Sequence, residues 1–165
     1  MADHLSERLA DNVLAPISNH CSLDQAAETE PLGTVLLVED EDPIREIASW
    51  MISILGYRVI SAASGAEALL EFRKANGSID VVITDVLMPR MNGLQLVESL
   101  REIDAALKVI FISGFFSDAC QLPPDVIRIQ KPFFRSILAA KLTEALGTTP
   151  STPGPDRHPP TISAQ

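Results

Sequence analysis

The sequence predicts an α/β fold with a doubly wound, five-stranded parallel sheet of strand order 2-1-3-4-5, the flavodoxin-like arrangement. Short apolar runs typical of buried strands alternate with segments of helical periodicity between residues 34 and 146. Such alternation gives parallel strands joined by right-handed crossovers. Acidic and polar residues also follow several of the apolar runs, at the edge of the sheet where folds of this kind hold ligands.

The first strand and helix are predicted from a run of five residues and a helix start signal. Thr34–Val38 is short and apolar, which indicates a buried strand. Asp42 and Pro43 then supply an N-cap and a proline at the first helical position. Apolar residues follow at helical spacing until Gly56, where we expect this helix to end.

The middle of the chain repeats this strand and helix unit. Tyr57–Ala62 predicts the second strand, and Ser64 with Glu67 forms a capping box that opens the second helix. Ile79–Thr84 is apolar enough to be the central, third strand. The third helix is predicted from apolar residues at helical spacing, which are Leu94, Leu96, Val97, Leu100 and Ile103.

Two further strands and two further helices complete the prediction. Lys108–Ile112 and Val126–Ile129 are the fourth and fifth strands, and a short helix is expected between them, within 116–122. The last helix is predicted over Phe134–Leu146 and ends at Gly147. Its inward residues are expected to be Ile137, Leu138, Leu142 and Leu146.

The domain organisation follows from length and composition. A chain of 165 residues with 46% hydrophobic content favours one domain, expected at residues 32–147. Residues 1–31 are a polar, acidic extension, for which a frayed segment is favoured over a short docking helix. Residues 148–165 are rich in proline and predict a disordered tail. The extension carries one weak apolar stripe, formed by Leu5, Leu9, Val13 and Ile17.

Charge and hydropathy exclude several classes of function. The net charge is −9 and the chain has no basic cluster, which argues against direct nucleic-acid binding. The sequence contains no run of 18 or more apolar residues, so it predicts no membrane-spanning helix. The first residues lack the layout of a secretory signal. Cys21 and Cys120 match no metal or disulfide spacing. We therefore expect a cytoplasmic protein.

The residues after the predicted strands form a chemically coherent set. Glu39 and Asp40 follow the first strand, Asp85 the third, Ser113 the fourth and Lys131 the fifth. The first and third strands are neighbours in the predicted order, so Asp40 and Asp85 face each other there. Their carboxylates and a loop carbonyl suit Mg²⁺, with Glu39 holding a coordinated water. A deprotonated aspartate beside such a metal can attack phosphorus to give an acyl phosphate.

These residues resemble the receiver domain of two-component response regulators. The resemblance runs from about Leu32 to Leu146 and is carried by the loop Asp85-Val-Leu-Met-Pro-Arg-Met-Asn-Gly93 and by Lys131-Pro132-Phe133. The sequence is also similar to the receiver domains at the C-terminus of hybrid histidine kinases, and residues Ile110–Phe115 carry this similarity. The family is not an enzyme class. Its members accept a phosphoryl group from a histidine kinase or histidine phosphotransfer protein, and lose it slowly.

The resemblance implies a role for each residue of the set. Asp85 is the phosphoacceptor, Asp40 and Asp85 bind Mg²⁺ directly, and Leu87 binds it through the main-chain oxygen. Glu39 acts through a water, Ser113 is the switch hydroxyl and Lys131 binds the phosphate. Because the chain offers no kinase or output domain, we expect a stand-alone regulator that acts through protein contacts or as a phosphate relay or sink. A homodimer is compatible with this expectation.

Three departures from the family pattern bear on these roles. The acidic pair is Glu39-Asp40 instead of two aspartates, a change that the family tolerates. Arg128 stands where the family has its switch aromatic, three residues before Lys131. Leu87 and Phe115 are apolar at two positions where polar side chains can orient an attacking water, so a long-lived phosphorylated state is expected.

Three other classes remain as alternatives. A haloacid-dehalogenase-like phosphatase would need an acid at Leu87, and an FMN carrier would be opposed by the acidic residues 39–42. A phosphorylation-independent, receiver-like binding module is the stronger alternative, because Arg128 interrupts the usual switch.

Overall fold

The computed structural model describes residues 30–114, 122 and 126–147. The expected tail, nearly all of the expected extension and most of the helix predicted within 116–122 lie outside these residues. The described elements are five strands and four helices: β1 Thr34–Val38, α1 Asp42–Ile54, β2 Arg58–Ala62, α2 Gly65–Ala75, β3 Val81–Asp85, α3 Gly93–Arg101, β4 Lys108–Ser113, β5 Ile127–Gln130 and α4 Arg135–Leu146.

The sheet has the strand order predicted from the sequence, β2-β1-β3-β4-β5, and all of its described pairs are parallel. Val38 of β1 lies beside Thr84 of β3, and Asp85 lies beside Ile112 of β4. The residues that follow β1, β3, β4 and β5 therefore meet at one edge of the sheet. This edge is called the carboxyl edge below.

Helices cover both faces of the sheet, and each face has its own core. Leu36 and Val38 point to one face, where they pack with residues of α2 and α3. Val35 and Leu37 point to the other face, where they pack with residues of α1 and α4. All five residues of β1 and of β3 are buried, as the apolar runs predicted for strands covered on both sides.

Local capping explains where the helices begin. The Ser64 side chain accepts a hydrogen bond from Glu67 N at the start of α2, while Glu67 Oε2 accepts one from Ala63 N. Asn92 and Gln95 form a full capping box at the start of α3. Helix α1 begins at Asp42, so its N-cap is Glu41 and not Asp42 as predicted, and Pro43 is the second residue of the helix instead of the first. The Asp42 side chain forms an ion pair with Arg45, and the start of α1 has no side-chain cap hydrogen bond.

The predictions for two apolar residues were wrong: Ile137 was expected to face inward, and Ile103 was expected to belong to the third helix. Ile137 is 42% exposed, because Leu138 and Leu142 set the buried stripe of α4 and the side chain of a neighbouring residue points about 100° away on a helix. Ile103 is 49% exposed and lies beyond α3, which ends at Arg101. The predicted strand ends also differ by one or two residues.

Among the described residues, none of the helices combines the length and apolar character that a membrane crossing requires.

Candidate functional site

Three carboxylates converge at the carboxyl edge of the sheet. Asp85 is the last residue of β3, and Glu39 and Asp40 directly follow β1, the neighbouring strand. One carboxylate oxygen from each of the three lies within 4.8 Å of the others. Glu39 and Asp85 are buried and Asp40 is half-buried. The structure thus brings together the three acidic residues that the sequence indicated.

Lys131 lies between two of these carboxylates. It follows β5, and its Nζ is 2.6 Å from Asp85 Oδ2 and 2.7 Å from Glu39 Oε2. Burial acts to lower the pKa of Lys131, but the hydrogen bonds to Asp85 and Glu39 outweigh it, so the pKa is raised above its ordinary value. The ammonium group is therefore held firmly in its charged form.

Burial raises the pKa of the Glu39 carboxyl above its ordinary value, and the ion pair with Lys131 offsets this only in part. Its side chain is 2% exposed. The neighbouring Asp85 carboxylate adds to the rise. Keeping Glu39 charged in this position therefore costs free energy, which a further cation would reduce.

Arg45 belongs to the same edge and was not indicated by the sequence. Its Nη1 donates a hydrogen bond of 2.8 Å to the main-chain oxygen of Glu39, and its Nη2 pairs with Asp42. The signal in the sequence is the spacing of three residues between Asp42 and Arg45 on one helix. The same spacing is common in ion pairs on protein surfaces, so it does not by itself indicate a functional site. Arg45 thus fixes the segment that carries the acidic pair.

The Asp85 carboxylate is oriented from both sides. Lys131 contacts Oδ2, and Leu87 N donates a hydrogen bond of 2.8 Å to Oδ1. The Leu87 side chain is 62% exposed, so it borders the open side of the site. Phe115, the other apolar residue expected at this place, lies outside the described residues.

Ser113 ends β4 and is buried, with its main-chain oxygen accepting a hydrogen bond of 2.9 Å from Lys131 N. The bond joins the end of β4 to the start of the segment after β5. It places Ser113 and Lys131 next to each other at the carboxyl edge, as the strand order predicted.

The loop between β3 and α3 folds back tightly over Asp85. Gly93 N donates to Val86 O at 3.0 Å. A Cβ atom at Gly93 would lie 2.2 Å from the main-chain oxygen of Asp85, so the close approach requires glycine at this position. The glycine that ends the Asp85–Gly93 loop motif therefore has a steric role.

Arg128 lies on β5 and its Nη2 donates a hydrogen bond of 3.3 Å to the main-chain oxygen of Leu122. It is paired with Phe111 of β4 in the sheet register. The position at which the resemblance implied a switch aromatic thus holds a cation, which binds the main chain at Leu122, between β4 and β5.

The donor set fits a hard divalent cation. Three carboxylates with oxygens within 4.8 Å of one another are the ligands that Mg²⁺ prefers, and Lys131 is the cation that the structure places among them. Three carboxylates against the one ammonium group of Lys131 leave a net negative charge at the site. A phosphoryl group would be repelled by such a site unless a further cation were bound.

Comparison with protein families identifies the class. Residues 35–122 match the family described as the response regulator receiver domain. These 88 residues are more than half of the chain, and they contain β2, β3, β4 and all of β1 except its first residue, Thr34.

Two curated relatives from Brucella abortus (strain 2308) show how the match is distributed. The sensor kinase CckA is 37% identical over 147 residues, which are 86% of this chain and 15% of that protein. The response regulator receiver protein CpdR is 31% identical over 116 residues, which are 68% of this chain and 95% of that protein. The chain spans about half of another relative, the probable transcriptional regulator ycf27 of Pyropia yezoensis.

Solved structures agree with the sequence relatives. The receiver domain of the hybrid histidine kinase CckA is similar with a TM-score of 0.61 and 35% identity, over 69% of this chain and 99% of that one. A response regulator receiver domain protein from Clostridium thermocellum gives a TM-score of 0.66 and 28% identity, over 70% and 95%.

Proposed function

This chain belongs to the response regulator receiver family, and on that premise we propose that Asp85 accepts a phosphoryl group from a phosphohistidine of a sensor kinase or phosphotransfer protein. The observation that carries the proposal is the placement of Asp85. Its carboxylate ends the central strand, 2.6 Å from a lysine and beside two further carboxylates.

In the proposed reaction, an oxygen of the Asp85 carboxylate forms a bond to phosphorus. The bond between phosphorus and the imidazole nitrogen breaks, and its electron pair stays on that nitrogen. The product is an aspartyl phosphate and a histidine ready for the next cycle. Lys131 and Leu87 N, which hold the two Asp85 oxygens at 2.6 and 2.8 Å, orient the carboxylate for attack, and orientation is a main source of rate in phosphoryl transfer.

We propose that Asp40, Asp85 and the main-chain oxygen of Leu87 bind Mg²⁺, with Glu39 acting through a water. When bound, the ion supplies positive charge that offsets the repulsion between the carboxylates and the incoming phosphoryl oxygens. Lys131 then contacts a phosphoryl oxygen, and the Ser113 hydroxyl donates a hydrogen bond to another. The raised pKa of Lys131 supports its part, because the lysine stays charged throughout.

A cleft beside Lys131 supports a protein as the phosphoryl donor. It has a volume of about 520 Å³ and lies between α1 and the segment after β5. Its lining is mainly apolar, with Ile47, Met51, Pro132 and Phe133 next to Lys131. An apolar surface beside a charged reaction centre suits a docking protein better than a small phosphoester, which would be bound by polar groups.

Downstream, the chain would signal through protein contacts or pass the phosphate on as a relay or sink.

Arg128 is the observation that favours the second candidate, a phosphorylation-independent binding module. Because it already holds the Leu122 main-chain oxygen, the usual inward movement of an aromatic side chain has no counterpart here. Partner binding that is equal for wild type and Asp85→Asn would favour this candidate.

Incubation with acetyl phosphate and Mg²⁺, followed by intact mass measurement, tests the proposal. Wild type should gain the mass of one phosphoryl group, and a chelator should prevent the gain. Asp85→Asn should remain unlabelled, while the control Asp104→Asn, an exposed aspartate on the loop before β4, should be labelled like wild type. Full labelling of Asp85→Asn would refute the assignment.

A further inference from the structure

A second apolar groove lies on the face formed by α1 and α4. It has a volume of about 620 Å³ and is lined by Trp50, Met51 and Leu55 on one side and by Phe134 and Ala139 on the other. Phe134 is 71% exposed, the largest exposure among the large apolar side chains that the structure describes. An apolar groove rimmed by an aromatic side chain this exposed is typical of a surface that another segment covers.

The chain before residue 30 leaves the domain beside this groove. Leu32 N donates a hydrogen bond of 2.9 Å to Gly56 O, directly after Leu55 of the groove wall. Leu32 also packs against the same core cluster as Leu55. Residues 1–29 are therefore attached at the end of α1, with one end of the groove within immediate reach.

We propose that residues 1–29 of this chain cover the groove with the apolar side chains Leu5, Leu9, Val13 and Ile17. Twelve residues lie between Ile17 and Glu30, and this stretch spans up to about 40 Å when extended. Helix α1 has 13 residues and is about 20 Å long. The stripe can thus reach every part of the groove.

Charge supports the same occupant. Residues 1–29 contain five acidic residues, Asp3, Glu7, Asp11, Asp24 and Glu28, against one arginine, Arg8. Arg135 lines the groove and is exposed. An acidic segment with a row of apolar residues matches an apolar groove with an arginine at its edge. The occupant is then always present at high effective concentration, because it is part of the same chain.

Trp50 makes the proposal testable in the full-length protein, because it is the single tryptophan of the chain and lines the groove. In Leu9→Asp/Val13→Asp, the acrylamide quenching constant of Trp50 should rise about twofold over wild type, since loss of the apolar contact exposes the indole to water. The control Asn12→Asp/Asn19→Asp adds the same charge without removing apolar groups and should behave like wild type. Equal quenching in wild type and Leu9→Asp/Val13→Asp would overturn the proposal.

A change on the groove side separates this occupant from others. Phe134→Asp should raise quenching of Trp50, and its combination with Leu9→Asp/Val13→Asp should add nothing further, because both changes break one contact. Additive effects would overturn the proposal. So would shielding of Trp50 that disappears on about hundredfold dilution, since a second copy would then be the occupant.

Discussion

At the scale of one residue, Glu39 shows that a charged group in the acidic cluster lowers the stability of the folded protein. Its carboxylate is buried, shares Lys131 with Asp85 and has a raised pKa because of burial. A carboxyl with a raised pKa in the folded state favours folding most when it is protonated. Its contribution to stability therefore falls as the pH rises past the unfolded value of 4.5 and through the folded value.

Glu39→Gln should remove this pH dependence. In metal-free buffer at pH 7 the variant should be as stable as wild type or more stable by up to about 1 kcal/mol, because Lys131 keeps Asp85 as its partner. The difference should shrink toward pH 4, where wild-type Glu39 is protonated. Urea unfolding at pH 7 and at pH 4 measures the difference in unfolding free energy between the variant and wild type. If the variant were less stable than wild type at pH 7 but not at pH 4, the explanation would be contradicted.

Leu87 is the residue on which the lifetime of an aspartyl phosphate should depend. Its exposed side chain borders the site and cannot hold a water in line with phosphorus. Leu87→Asn should speed loss of the phosphoryl group by roughly tenfold, or about 1.4 kcal/mol of barrier. The decay rate after removal of the donor measures this. Leu70→Asn, at a similarly exposed leucine on α2, is the control and should leave the rate unchanged.

At the scale of elements, the loop from β3 to α3 depends on Gly93. A methyl group there would meet the main-chain oxygen of Asp85 at 2.2 Å, and that oxygen belongs to the backbone and cannot rotate away. Gly93→Ala should cost about 1–3 kcal/mol of unfolding free energy and should slow labelling of Asp85 by displacing its carboxylate.

Gly114→Ala is the matched control for stability, because none of the residues that the structure describes lies within 4 Å of a Cβ atom added at Gly114. Thermal and urea unfolding should show that Gly93→Ala is less stable than Gly114→Ala. Equal stability of the two variants would contradict the prediction, because the loop would then accommodate the methyl group without a loss of stability.

Periodicity sufficed to predict the order of strands and helices because buried strands and amphipathic helices differ in the spacing of their apolar residues. It did not predict that Ile137 would be exposed, since α4 has apolar residues around much of its circumference. Nor did it predict the hydrogen bond from Arg45 to the main-chain oxygen of Glu39, or the direct ion pair between Lys131 and Glu39. Those contacts depend on how side chains meet across the carboxyl edge, and that information is absent from local sequence.

At the scale of the whole molecule, the acidic cluster links metal binding to folding. A cation that binds the folded protein alone stabilises it, by about 1.4 kcal/mol when its concentration is ten times the dissociation constant. Mg²⁺ should therefore raise the melting temperature of wild type more than that of Asp40→Ala or Asp85→Ala. Differential scanning fluorimetry measures this, with Asp104→Ala as the control. An equal rise in all four proteins would argue against a metal site at the cluster.

The direction of the strands has a consequence for engineering. β1 begins, and α4 ends, at the edge of the sheet opposite to Asp85, and a strand of five residues separates the two edges by about 17 Å. A reporter joined after Gly147 would thus project away from the reaction centre and leave it open. A fluorescent protein fused there should leave the rate of Asp85 labelling by acetyl phosphate unchanged, so this end of the domain can carry a reporter without covering the carboxyl edge.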